Sequence, residues 1–272
     1  MRLIISESML QEGYREVHEL NYITNEIIYS VAKENSGFLF RLKRNKGFDK
    51  NWLYFNYDHF IIKDMIKNID AYPLMGDCIN NGLKIFFTTH IDTLGNYVST
   101  NNTINIKTNI DDFYDNLLYH LDLHGESLDT DSATRSLRTS IGVAFRSIII
   151  HELQHAYDSY RSKNKYTTDR VSKKYYDKKR TLNVPFREMS QDMKNIYLIL
   201  PHEYWARFSE TVNDIYITKD MRYVENQFIK NLRGWELLDE PTKKKLLKAL
   251  YKYREFTIAQ NADFEAELAK TD

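Results

Sequence analysis

His151-Glu152-Leu153-Gln154-His155, at the end of an apolar run that starts at Ile141, is the stretch on which the reading of this chain turns. Residues four apart lie on one face of an α-helix, one turn above the other. Two imidazoles so placed can share one metal ion, and the glutamate between them can reach a water held there. Such a pentapeptide arises by chance in roughly 1–2% of chains of this length and composition, so its surroundings have to decide. They predict a helix. Apolar residues recur at Ile141, Val143, Ala144, Phe145, Ile148, Ile149, Leu153, Ala156 and Tyr160. The stripe is nearly apolar all round from Val143 to Ile150, as in a buried helix. Two histidines and a glutamate there are costly unless satisfied. Zinc would satisfy them, and so would a polar cleft in which they hydrogen-bond.

A catalytic zinc needs a third protein ligand and an open fourth position. The variant of the motif that adds a glycine and a third histidine at fixed spacing is excluded, because Asp158 and Arg161 stand at those places. The third ligand must come from another element, and the best candidate is Leu200-Pro201-His202-Glu203-Tyr204-Trp205-Ala206-Arg207-Phe208-Ser209-Glu210. Pro201 suits the first turn of a helix, where its missing N–H costs little. Glu203 projects from that turn, and Ala206 leaves room beside the motif helix. Glu210, two turns further along the same face, is the second candidate. His202 is a chemically good ligand but points about 100° away from Glu203. Arg207, one turn below Glu203, is placed to pair with Asp158 and tie the two helices together; an exposed pair without consequence is the plainer reading.

These two segments resemble zinc peptidases of the gluzincin type, in which a glutamate on a later helix completes the site. The closer resemblance is to metallopeptidase-like proteins of bacteriophages, with a helix reading His-Glu-Leu-x-His-Ala-x-Asp and, downstream, Pro-x-Glu-x-x-Ala-Arg. This chain reads His151-Glu152-Leu153-Gln154-His155-Ala156-Tyr157-Asp158 and Pro201-His202-Glu203-Tyr204-Trp205-Ala206-Arg207. The likeness runs from Leu83 to Tyr216, and only the two motif helices are specific. It implies an α+β fold: a mostly helical zincin-like metallopeptidase with a small β-sheet beside the active-site helix. It implies Zn2+ on His151, His155 and Glu203, with Glu152 as the base that activates a zinc-bound water for peptide hydrolysis. Protein or peptide substrates follow, phage virion proteins among them, for a hydrolase carried in the virion or acting during infection. In such peptidases an edge strand beside the cleft pairs with extended substrate, and the resemblance implies the same here. Tyr157, Tyr204, Tyr197 and His202 are all conceivable oxyanion donors, although core packing is the commoner role of a tyrosine.

The rest of the chain frames the motif. Residues 83–90 read as a strand, and 96–99 with 103–107 as a hairpin around Thr100-Asn101-Asn102. Ser8 and Gln11 suggest a capping box for a helix to about Glu34, with Val17, Leu20, Ile27 and Val31 on one face. Residues 38–42 and 52–57 read as a second hairpin, 59–70 and 111–123 as helices, 126–132 as a polar loop. Residues 220–232 and 241–256 read as amphipathic helices. Three segments are expected: an N-terminal helical and hairpin region at 1–75, a catalytic core at 76–218 and a C-terminal helical region at 219–272.

Composition bounds the function. In 272 residues, 38 Lys and Arg balance 38 Asp and Glu, so global charge favours neither nucleic acid nor membrane. No run approaches the roughly 20 apolar residues of a membrane span, and the N-terminus does not read as a signal peptide. The single cysteine, Cys78, excludes an internal disulfide and suits a reducing compartment. A bacterial host cytoplasm or a phage particle is the expected location. Two other classes stay open. One is a catalytically silent zinc-binding structural or cargo protein of a phage particle. The other is a nucleic-acid-associated protein using the basic loop at 161–187, where ten Lys or Arg face two Asp, with Tyr166, Tyr175 and Tyr176 interleaved. Such a run is more often solvated loop, and since it joins the two motif helices it could also fold over the site as a flap.

Overall fold

Two periodicities, 2 along the strands and 3.6 along the helices, set which residues this chain buries. The structure, a computed structural model, describes residues 7–44, 60–88, 91–108, 130–161 and 188–268. In chain order these form α1 (Glu7–Arg44), β1 (Phe60–Ile61), α2 (Ile62–Met65), α3 (Gly76–Asn80), β2 (Lys84–Thr88), β3 (Gly95–Val98), β4 (Thr103–Lys107) and α4 (Thr130–Arg161). After them come α5 (Gln191–Leu198), α6 (Pro201–Asp214), α7 (Met221–Asn231) and α8 (Glu240–Leu268). The class is α+β, mostly helical with a small sheet. No described helix is long and apolar enough to cross a membrane.

Packing divides the chain into two compact units, Leu20–Tyr160 and Met1–Glu19 with Arg161–Asp272. In the Leu20–Tyr160 unit the strands run in the order β1-β2-β4-β3. β2 and β4 are parallel, with Ile85 opposite Ile104 and Phe87 opposite Ile106. β1 and β3 are antiparallel to their neighbours and form the two edges among the described residues. Ile85, Phe87, Ile104 and Ile106 alternate onto one buried face. They share a core with Leu20, Ile23, Ile27 and Val31 of α1 and with Leu137, Ile141, Phe145, Ile149 and Leu153 of α4. Full burial of each such side chain contributes roughly 1.5–3 kcal/mol. Phe145 meets Phe87 edge-on at 5.7 Å, and the Arg146 guanidinium donates to the amide oxygens of Asn21 and Asn25. Cys78 fills a buried corner, its thiol pushed up to about 12 by desolvation, so it serves as a small apolar group.

The hairpin of β3 and β4 and the strand β2 match expectation. Asn102 takes a left-handed φ of 52° in the turn, a conformation asparagine tolerates better than most residues. Its amide donates to Asn81 O at 3.0 Å and its Oδ1 accepts from the Tyr97 hydroxyl at 2.9 Å.

Several expectations need correction. Residues 38–42 are not a hairpin arm but the end of α1. A short aromatic run does not by itself separate strand from helix, and an established helix extends without a new nucleation cost. The other arm, 52–57, lies outside the described residues. The helix expected at 59–70 is broken: Phe60 and Ile61 pair with Ile85 and Lys84, one helical turn follows, and Ile69–Ala71 is a 3-10 turn. Sheet pairing has overridden local propensity there. Finally, α4 is not apolar all round, because Val143 is 66% exposed while Ile141 and Phe145 are buried. The helix expected at 111–123, residues 126–129 of the expected polar loop and the basic loop at 162–187 lie outside the described residues, while 130–132, expected in that loop, open α4 instead.

In the second unit α6, α7 and α8 close around Tyr204, Phe208, Val212, Val224, Phe228, Leu246, Leu250 and Tyr253, joined by Val17 of α1. Trp205 stacks on Phe208 at 4.9 Å, and Phe208 meets Phe228 edge-on at 5.5 Å. Side-chain caps fix the helix starts. Asp220 accepts from the N–H groups of Arg222 and Tyr223 at 3.0 and 3.2 Å. Asp239 accepts from Thr242 N–H at 2.9 Å, and hydrogen bonds from the Thr242 side chain and backbone hold its carboxyl below the usual range.

Candidate metal centre

Helix α4 turns Ile149, Leu153 and Ala156 into the core. His151 and His155 therefore lie on the flank, half-buried and one turn apart. Their Nε2 atoms stand 3.1 Å apart, with the rings nearly perpendicular at 83°. This separation tests the fit of a metal. Tetrahedral zinc with Zn–N bonds of about 2.0–2.1 Å holds neighbouring ligand atoms about 3.3 Å apart, so the observed spacing suits two ligands on one ion. One neutral imidazole donating to the other would occupy the same geometry.

Glu152, between them in sequence, is 5% exposed. It lies against the start of β3: an ideal Cβ on Gly95 would come within 2.9 Å of both its Cγ and its Oε1. Gln154 is fully buried, and its amide donates to Asp158 Oδ1 at 3.0 Å. Tyr157 is 5% exposed and belongs to the apolar core.

Helix α6 begins as its sequence predicts. Leu200 is extended at the N-cap without a side-chain cap, and Pro201 occupies the first turn. Glu203 falls in that turn, where the positive end of the helix dipole favours a carboxylate. It is 3% exposed. Its Oε2 lies 3.5 Å from Arg207 Nη2, and its Oε1 lies 3.8 Å from His202 Nε2, beyond hydrogen-bond range. Arg207 also sits 5.7 Å above the Tyr197 ring. Arg207 thus turns back along its own helix onto Glu203, while Asp158 is bonded to Gln154. Tyr204 is buried in the aromatic core, and Glu210 is half-buried.

His151, His155 and Glu203 each offer one ligand atom, and these atoms all lie within 4.8 Å of one another. Among the described residues this is the one such group of His, Cys, Asp or Glu, and it does not include Glu210 or His202. Two imidazoles and a carboxylate suit Zn2+, which takes nitrogen and oxygen donors and in catalytic sites keeps a further position open. The residue that the motif reading missed is Gly95. A glycine opening a strand pattern is a signal of close approach, but what approaches it is a matter of tertiary packing.

Comparison with family models, with curated proteins and with solved structures finds no match to this chain.

Proposed function

We propose that this protein is a zinc-dependent peptidase. The observation that carries the reading is the grouping of His151, His155 and Glu203 ligand atoms within 4.8 Å, with Glu152 on the same helix as the histidines. The zincin-like relationship and the link to phage peptidase-like proteins belong to the same proposal, supported by the two motif helices. A phage virion or host protein would be the substrate in that setting.

His151 and His155 would hold the ion through Nε2 and Glu203 through one carboxylate oxygen. Zinc, when bound, lowers the pKa of a coordinated water and draws electron density from a peptide carbonyl. The carboxylate of Glu152 would serve as the base that takes a proton from the attacking water, and would then hand that proton to the amide nitrogen of the leaving group. Arg207, whose Nη2 lies 3.5 Å from Glu203 Oε2, would help orient that carboxylate.

The sheet supports a peptide as the substrate. Lys107 N–H donates to Leu94 O at 2.7 Å, so Leu94 and Lys107 are a hydrogen-bonded pair. Gly95, opposite Ile106, is then a non-hydrogen-bonded position. Its N–H and C=O point away from β4, on the side of β3 where no described strand pairs, beside the Glu152 carboxylate. An extended chain can add there by main-chain hydrogen bonds.

Metal analysis and cleavage of a mixed peptide library test the reading together. The parent and Glu152→Gln should hold equal zinc, with turnover lowered about 10²–10⁴-fold in the variant. Equal zinc in the parent, His155→Ala and Glu203→Ala would remove the site. Zinc without cleavage in the parent would make this a metal-stabilised structural protein.

A further inference from the structure

Glycine is usually placed where the backbone needs a positive φ, and Gly82 and Gly234 are of that kind. Gly95 is not among the positive-φ residues. Any L-residue could take its backbone conformation, so its reason must be space. The space is claimed by α4. An added Cβ would lie 2.6 Å from Ile148 Cγ2 and 2.9 Å from Glu152 Cγ and Oε1, all closer than non-bonded carbon and oxygen atoms tolerate. Ile148 and Glu152 are one turn apart and so stand side by side over the bare Cα. The Ile148 methyl is stiff, being β-branched on a helix, whereas the glutamate chain can rotate. What a side chain at position 95 would displace is therefore the carboxylate.

We infer that Gly95 is a positioning residue for Glu152, an empty notch at the head of β3 that seats the carboxylate against the strand edge. Its catalytic consequence rests on the peptidase reading; its steric content does not. The same glycine that turns its N–H and C=O outward for a peptide fixes how far from that peptide the base stands. Gly95→Ala should push Oε1 off its place while leaving His151, His155 and Glu203 alone. A misplacement near 1 Å at a reacting group costs on the order of 100-fold in rate.

Two readouts test this. With zinc-loaded protein and the peptide library, Gly95→Ala should lower kcat about 10- to 100-fold, with KM and zinc affinity close to the parent's. In zinc-free protein, a double-mutant cycle in chemical denaturation needs no substrate. In an Ile148→Ala background, which removes the 2.6 Å overlap, the midpoint loss caused by Gly95→Ala should shrink by at least half when Glu152→Ala is added, because the methyl takes the room that the carboxylate vacates. Should Gly95→Ala alone not fold, Gly95→Ala with Ile148→Ala removes the shorter overlap and keeps the one with Glu152. The same drop in kcat is expected of it. An unchanged kcat, or an equal midpoint loss in both backgrounds, overturns the inference. Absence of zinc and of cleavage in the parent overturns the peptidase reading instead, and the denaturation cycle still decides the seat.

Discussion

His18 on α1 and the His151–His155 pair on α4 are histidines on long helices in two different kinds of surroundings. His18 is 8% exposed, stacked on Tyr253 at 4.8 Å and edge-on to Phe256 at 4.5 Å. Its Nε2 is satisfied by Thr257 Oγ1 at 3.0 Å. Burial pushes its pKa from about 6.5 down to about 4, so it is a neutral aromatic piece of the core. His151 and His155 are half-buried and aim nitrogen at nitrogen across 3.1 Å, with a Glu203 oxygen inside the same 4.8 Å group. A histidine whose faces meet rings and whose nitrogen meets a hydroxyl asks for nothing further. The His151–His155 pair, grouped with a Glu203 oxygen, is an arrangement that could hold a cation.

Zinc-linked stability breaks this contrast most directly. An ion that binds only the folded state raises stability by about 4 kcal/mol at 1,000 times its dissociation constant. The parent should gain that in denaturant unfolding and lose it to a chelator. Glu203→Ala and His155→Ala should forfeit most of the gain, and His18→Phe should keep all of it. If His18→Phe also abolished the response, the two environments would not be distinct in the way proposed.

Acid sharpens it next, and the sign follows from linkage. The folded pKa of His18, about 4, lies below the unfolded value near 6.5, so between those values the unfolded chain binds more protons. Its contribution is present above pH 6.5 and is lost as pH falls toward 4, on the order of 3 kcal/mol in all. Zinc-free protein is the right sample, since the metal site would add its own proton dependence. Unfolding free energy measured from pH 8 to 4 should fall less steeply in His18→Phe than in the parent. Parallel curves would assign the acid sensitivity elsewhere.

How far these regions could be read from the sequence differs for a physical reason. The placement of His151, Glu152 and His155 on one helix is legible from their spacing, and that of Glu203 in the first turn of α6 from Pro201, which marks where that helix starts. The β3–β4 hairpin was legible from alternation and turn residues. Gly95 against Glu152 and His18 among the rings of α8 depend on contacts across 57 and more than 200 residues of chain, which no local pattern encodes. Residues 38–42 show the opposite case, since their local composition favours a strand and helix continuation wins.

Val143 is the smallest case and the cleanest. The apolar count around α4 predicted burial on every side, yet the core takes Leu137, Ile141, Phe145 and Ile149, one turn after another, and leaves Val143 66% exposed. An exposed valine loses little with its methyls, and serine pays only a slight helix-propensity difference. Val143→Ser should therefore stay within about 0.5 kcal/mol of the parent, whereas Phe145→Ala, two residues on, should cost roughly 3–5 kcal/mol by opening a cavity against Phe87. Denaturant midpoints of the two variants, taken without zinc, compare the faces of one helix. A valine variant as damaged as the phenylalanine one would mean that α4 is covered on both sides, by the buried-helix logic its sequence first suggested.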